Sequence, residues 1–186
     1  MKQTKKLIVS VLFSLIIGAF APASAVRAAE LEAGSAADLA INRTQPDERI
    51  EKLKSFLASH DSPLVDAAGH FVAEADRLNL DWKLVAAIAG VESTFGKHIP
   101  ANSYNGWGWG VFTGMADGIH FKDWEDGITQ VSEGLRYNYV DRGAETIEAI
   151  GRIYAASPTW SQKVRFFLTK IEQFVPSRPD QLAVTI

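Results

Sequence analysis

The chain has 186 residues, 47% hydrophobic and 22% charged, with 19 Lys and Arg against 22 Asp and Glu and no cysteine. With no basic block and no aromatics interleaved with Arg or Lys, it carries no electrostatic footprint for nucleic acid. The absence of cysteine removes disulfides, thiolate nucleophiles, cysteine metal sites and cysteine-linked lipid together.

In chain order, Lys2, Lys5 and Lys6 precede an apolar run over residues 7–20, and small residues follow. This pattern predicts a secretory signal over residues 1–28, with Ala23-Ser24-Ala25 and Val26-Arg27-Ala28 as two usable cleavage sites. The run is shorter than the roughly 18 to 20 residues that span a bilayer, so cleavage is expected rather than stable membrane insertion. Removing it leaves 15 basic against 22 acidic residues, a net charge of −7. The expected product is a secreted, extracytoplasmic, acidic protein, which would hold an anionic polymer by shape and hydrogen bonds.

Residues 29–45 are small and polar without a period and read as a flexible spacer. One domain is expected over residues 46–176, followed by a tail at 177–186. Pro46, Asp47 and Glu48 suit a first helical turn, with Ile50, Leu53 and Leu57 continuing at helical spacing. Ser62 and Pro63 read as N-cap and first turn of a second helix, with Leu64, Ala68, Phe71, Ala75 and Leu78 as its inner face. Asp81 is the natural N-cap and Gly96 the natural C-terminal stop of a third.

That third helix carries one carboxylate in an otherwise apolar stripe. Val85 and Ile88 stand seven and four residues before Glu92, and Phe95 three after it, so all four share a face, expected to be buried. Burial and the negative pole of the helix end both disfavour an ionised Glu92 and should raise its pKa. Such a carboxyl is either a general acid or one half of a structural ion pair with a nearby Arg or Lys.

Beyond Gly96 the period is lost. Residues 105–111 hold three glycines and two tryptophans, predicting an ordered loop or a short β element near Trp107. Indole faces stack on the apolar faces of sugar rings and glycines admit close approach, so Trp107 and Trp109 are candidate sugar-binding residues, and Asn105 could bond an N-acetyl group. Alternatively the tryptophans plug the core. Because they are two apart, an extended strand would send them to opposite faces, so one of them is expected to meet ligand.

Further on, Trp124, Ile128, Val131, Leu135 and Tyr139 predict one helix, and Ile147, Ile150 and Tyr154 another. Ser157-Pro158 opens a last one, with Trp160, Val164, Phe167, Leu168 and Ile171 inward and Pro176 as its stop. The fold class is all-α. His60, His70, His98 and His120 have no metal-ligand spacing, and no nucleophile elbow or phosphate-cradling loop is present, so no cofactor or metal is expected.

Val91-Glu92-Ser93-Thr94-Phe95-Gly96 resembles the catalytic helix end of the lysozyme-like superfamily, in particular bacterial lytic transglycosylases and N-acetylglucosaminidases. The resemblance extends to Ser103-Tyr104-Asn105-Gly106-Trp107-Gly108, to Phe121-Lys122-Asp123-Trp124 and to Ile153-Tyr154-Ala155-Ala156-Ser157-Pro158-Thr159-Trp160, in that order over residues 62–174. It implies a glycosidase cleaving β-1,4 bonds between N-acetylglucosamine and N-acetylmuramic acid in peptidoglycan, with Glu92 as general acid and then base. Ser93 would orient or bond near it. Tyr154 would face the acid, where a phenol can hydrogen-bond it or stabilise a charged transition state; the alternative for Tyr154 is a core aromatic.

A second carboxylate could come from Asp117, Asp123, Glu125 or Asp126, since inverting glycosidases need a base about 6.5 to 9.5 Å from the acid. Each also suits a solvated or helix-start role, Asp123 as the cap before Trp124. Without such a base the substrate's 2-acetamido oxygen would attack the anomeric carbon. The Gly-Leu-Met-Gln segment of many lytic transglycosylases is replaced here by the Gly/Trp loop, which favours the glucosaminidase-like branch and leaves hydrolysis and transglycosylation both open. The alternative function is a non-catalytic wall-glycan-binding protein with the same groove.

Overall fold

The computed structural model describes residues 47–110 and 118–176; the expected signal, spacer and C-terminal tail, together with Pro46, Val111 and Asp117, lie outside them. The architecture is all-α, with six α-helices and no strand among the described residues. They are α1 (Glu48–Ala58), α2 (Ala68–Leu78), α3 (Leu84–Ser93), α4 (Trp124–Gly134), α5 (Ile147–Tyr154) and α6 (Trp160–Gln173).

Helix α3 is the axis of the core. Leu84 through Ala89 are all buried, as expected of a helix that is apolar on every side. It runs antiparallel to α6: the Trp160 indole meets Glu92 at one end, and Lys83 meets Glu172 at the other. Gly90 lets the pair close, because a Cβ there would lie 2.6 Å from Phe95 Cε1 and 3.0 Å from Phe167 Cδ2. Leu53, Phe56 and Leu57 of α1, Phe71 of α2, and Ile128 and Val131 of α4 complete the core.

Several element starts differ from expectation for local reasons. Asp47 is the N-cap of α1, its carboxylate accepting from Arg49 N–H at 2.9 Å. Ser62 does cap, accepting from Leu64 N–H, but its hydroxyl also donates to the Phe95 carbonyl at 2.8 Å. A short 3₁₀ turn, Val65–Ala67, therefore precedes α2. Asp81 caps the turn ahead of α3 by accepting from Lys83 N–H, and the helix proper begins at Leu84. Asp123 caps α4 as expected, bonding Asp126 N–H at 2.8 Å, while Asp126 reaches back to Lys122 N–H at 3.0 Å.

After α4 the chain continues as a π-helical segment, Leu135–Tyr139, and a 3₁₀ turn, Val140–Arg142. The wider turn carries Tyr139 beside Trp109 and Tyr154, with ring centroids 6.1 Å from each. Near Trp107, where a β element was expected, two backbone bonds close the loop without a strand: Ile119 N–H to Trp109 O at 3.0 Å and Phe121 N–H to Ser103 O at 2.8 Å.

Candidate active site

Helix α3 stops in a left-handed turn, with Thr94, Phe95 and Gly96 at φ of 54°, 58° and 83°. This reverses the chain and drives Phe95 under Gly90 into the core. Glu92 is thereby left on the open side of the last helical turn. Val85, Ile88 and Phe95 are buried as expected, but Glu92 is exposed, a correction to the shared buried stripe. The stripe fails because the helix ends at Ser93 and the chain turns left-handed at Thr94 and Phe95, so Phe95 no longer continues the helical face that carries Glu92.

The carboxylate is open on one side and enclosed by protein on the other. Oε1 accepts from the Trp160 indole N–H at 2.6 Å. Oε2 lies on the Gly108 side, 3.7 Å from where a Cβ at that residue would sit, so glycine there leaves the oxygen room. No Lys or Arg forms an ion pair with Glu92 among the described residues, which removes the structural ion-pair reading. Desolvation raises its pKa above the ordinary carboxylate value; the Trp160 hydrogen bond and the charge of Lys163 oppose the rise without cancelling it. With Oε1 engaged as acceptor, a proton on this carboxyl resides on Oε2.

Tyr154, at the end of α5, stacks on Trp160 with centroids 4.9 Å apart and planes inclined by 24°. Its hydroxyl donates to the Trp107 carbonyl at 2.7 Å, not to Glu92 as the resemblance allowed. Burial first, then the nearby negative charge of Glu92, push the phenol pKa well above its usual value, so it stays neutral. Trp109, Tyr139, Tyr154 and Trp160 together form an aromatic wall opposite the end of α3, with Trp109 5.8 Å from Tyr154.

Three residues expected to bind substrate form the floor instead. Ser93 is buried; its Oγ lies 2.7 Å from the Gly106 carbonyl and 3.0 Å from the Ala89 carbonyl, and accepts from Gly96 N–H at 2.8 Å. It ties the helix end to the Gly/Trp loop. Asn105 is also buried and organises that loop: its Nδ2 donates to the carbonyls of Trp109 and Ile119, and its Oδ1 accepts from the amides of Trp107 and Trp109. Nothing remains for an N-acetyl group. Trp107 is fully buried, its indole N–H donating to the Val85 carbonyl at 2.9 Å, so neither ring face can meet a sugar.

Trp109 is the half-open tryptophan. It packs into the space that Gly134 leaves by lacking a side chain, and borders a cleft of about 280 Å³ shared with Gln130, Glu133, Tyr137 and Asn138. Asp123 and Asp126, considered as a second carboxylate, are engaged in capping α4. Among the described residues no three His, Cys, Asp or Glu side chains cluster as a metal site, and no helix is long and apolar enough to cross a membrane.

No protein-family model matches the chain, and no curated protein matches it. The chemistry of the groove therefore rests on its own atoms.

Trp160 and Tyr139 were not anticipated as site residues. Trp160 reads as one apolar position of a helix face, yet a buried indole N–H needs an acceptor, and that requirement was the available signal. Tyr139 continues the period of α4, and nothing in the spacing announces the π turn that brings it to the wall.

Proposed function

We propose that the protein is a peptidoglycan glycosidase, secreted into or beyond the cell envelope, in which Glu92 protonates the glycosidic oxygen of a β-1,4 bond between the two amino sugars. The observation that carries this reading is the state of Glu92. It is an exposed carboxyl with a raised pKa and no ion-pair partner among the described residues, fixed through Oε1 by an indole and free to donate from Oε2. A carboxyl whose pKa is raised holds its proton to higher pH than an ordinary one, which is what protonation of a leaving sugar oxygen uses.

The aromatic wall supports a sugar as the ligand, since Trp109 offers a ring to the apolar face of a pyranose. The Trp109 cleft adds the amides of Gln130 and Asn138 for ring hydroxyls. Neutral Tyr154, its hydroxyl fixed on the Trp107 carbonyl, holds its ring against Trp160 beside the carboxyl donor.

Asp123 and Asp126 are occupied as caps, Glu125 is exposed on the first turn of α4 and Asp117 lies outside the described residues, so the reading takes the acetamido-assisted route. The acetamido oxygen bonds to the anomeric carbon as the glycosidic bond breaks, and the departing oxygen takes the Glu92 proton. A hydroxyl then attacks the anomeric carbon, the bond to the acetamido oxygen breaks and restores the acetamido group, and ionised Glu92 takes the proton of the attacking hydroxyl. If that hydroxyl is water the reaction is hydrolysis; if it is the muramyl 6-hydroxyl the product is a 1,6-anhydro sugar.

Mass spectrometry of soluble fragments from purified cell walls tests the reading. Wild-type protein should release muropeptides and Glu92→Gln should not. Anhydromuramyl ends identify a transglycosylase, and a reducing GlcNAc end identifies a glucosaminidase. Sedimentation with walls but no release by wild type would instead favour a glycan-binding protein.

A further inference from the structure

A cleft of about 550 Å³ runs along the seam between α3 and α6 and begins one residue from Glu92. Gly90 and Val91 form one wall, and Lys163, Phe166 and Phe167 the other. Phe166 is 55% exposed, and the ammonium of Lys170 stands 5.4 Å from its ring centroid. Lys163, Phe166 and Lys170 recur at helical spacing, so one face of α6 presents charge, ring and charge in sequence.

Other charged side chains of α6 are paired: Arg165 with Glu148 at 2.6 Å and Glu172 with Lys83 at 2.6 Å. Lys163 and Lys170 form no ion pair among the described residues. Glu92 follows Val91 of the cleft wall, and its carboxyl feels the charge of Lys163. In a chain whose acidic residues outnumber its basic ones, an apolar strip flanked by two unpaired ammonium groups is complementary to a ligand that is apolar along its length and carries carboxylates.

We propose that this cleft binds the carboxylate-bearing peptide attached to the muramyl sugar, and so selects peptide-substituted strands over bare glycan. The inference rests on the peptidoglycan reading of the Glu92 site. A muramyl sugar carries its peptide through a lactyl ether on the ring, so a strand seated at Glu92 presents that peptide to Val91 and Lys163. Lys163 then takes the nearer carboxylate, Phe166 covers an aliphatic side chain, and Lys170 takes a carboxylate further out.

The test compares Phe166→Ala and Lys170→Gln with wild type on intact strands and on the same strands after enzymatic removal of their peptides. Both positions are exposed and away from the carboxyl donor, so folding and turnover of stripped strands should be unchanged. On peptide-bearing strands KM should rise roughly two- to fivefold with kcat unchanged, the range of an exposed ion pair for Lys170→Gln and of a partly exposed apolar contact for Phe166→Ala. Equal KM changes on both substrates, or none on either, would overturn the proposal.

A binding arm needs no turnover: Glu92→Gln protein titrated with a muramyl tripeptide should show NMR shifts at the Phe166 ring, weakened by Lys170→Gln. Absence of those shifts overturns the proposal. If wild type cleaves no wall, the glycosidase reading fails alone and this titration still decides the cleft. Self-association abolished by Phe166→Ala, with no peptide-induced shift, would assign the cleft to a second copy of the chain and overturn the peptide.

Discussion

Trp107 and Trp109 are separated by one glycine and have opposite surroundings. Trp107 belongs to a floor with Ser93 and Asn105, where every side-chain polar atom is bonded inward and no ring face is open. Trp109 belongs to a wall with Tyr139, Tyr154 and Trp160, where all the rings but Trp160 stay partly open and the Trp160 indole N–H reaches Glu92 at the end of α3. The floor bonds the loop to itself, and the wall presents aromatic rings and one indole N–H beside Glu92. Residue types that look ligand-binding in sequence are those a tight Gly-rich loop needs to bond to itself, whereas the groups facing the groove come from distant helices.

The comparison can be broken at the floor first. Trp107→Ala should destabilise the protein by about 3–5 kcal/mol, the range for truncating a fully buried aromatic. Chemical denaturation measures it, and a loss under about 1 kcal/mol would mean that Trp107 is not part of the core.

Glu92→Gln should behave in the opposite way, lowering activity on purified walls by about 10² or more. Its stability should not fall. The folded-state pKa of Glu92 is raised, so the stability it contributes is full below its unfolded value near 4.5 and declines as pH rises through the higher folded value. Glutamine has no such decline. Melting temperature of the variant should therefore equal or exceed wild type at neutral pH, and the difference should close below pH 4.5. A lower melting temperature at neutral pH would make Glu92 a structural residue.

Asn105→Ala sharpens the floor more gently. It strips partners from two amides and two carbonyls in a partly buried loop, a loss of about 1–3 kcal/mol in denaturation. Trp109→Ala should have the smallest effect on folding and a visible one on binding. KM should rise roughly two- to tenfold, the range of one aromatic contact. If Trp109→Ala unfolds the protein as severely as Trp107→Ala, floor and wall are not distinct.

The helices were legible because their inward positions obey one period. Leu53 and Leu57, Phe71 and Ala75, Ile128 and Val131, and Val164 and Ile171 are all buried where spacing put them. Helix starts were less so, since capping side chains such as Ser62 also bond elsewhere in the fold and shift the first regular turn. Within the site, the helix end bearing Glu92 and the closeness of Tyr154 could be anticipated from the resemblance. The inward turn of Trp107, the self-bonding of Asn105 and the indole donor of Trp160 could not, because each depends on a partner twenty or more residues away or on left-handed backbone that no periodic pattern encodes.

The central claim is that Glu92 acts as the proton donor and that the wall sets its acidity. The most direct test is kcat/KM on purified walls against pH for wild type and Trp160→Phe. Phenylalanine keeps an aromatic ring against Tyr154 but removes the N–H that stabilises ionised Glu92. The account predicts that activity falls with rising pH as Glu92 ionises, and that this alkaline limb moves to higher pH in Trp160→Phe. A limb that stays in place, or wild-type protein with no turnover at any pH, would contradict it.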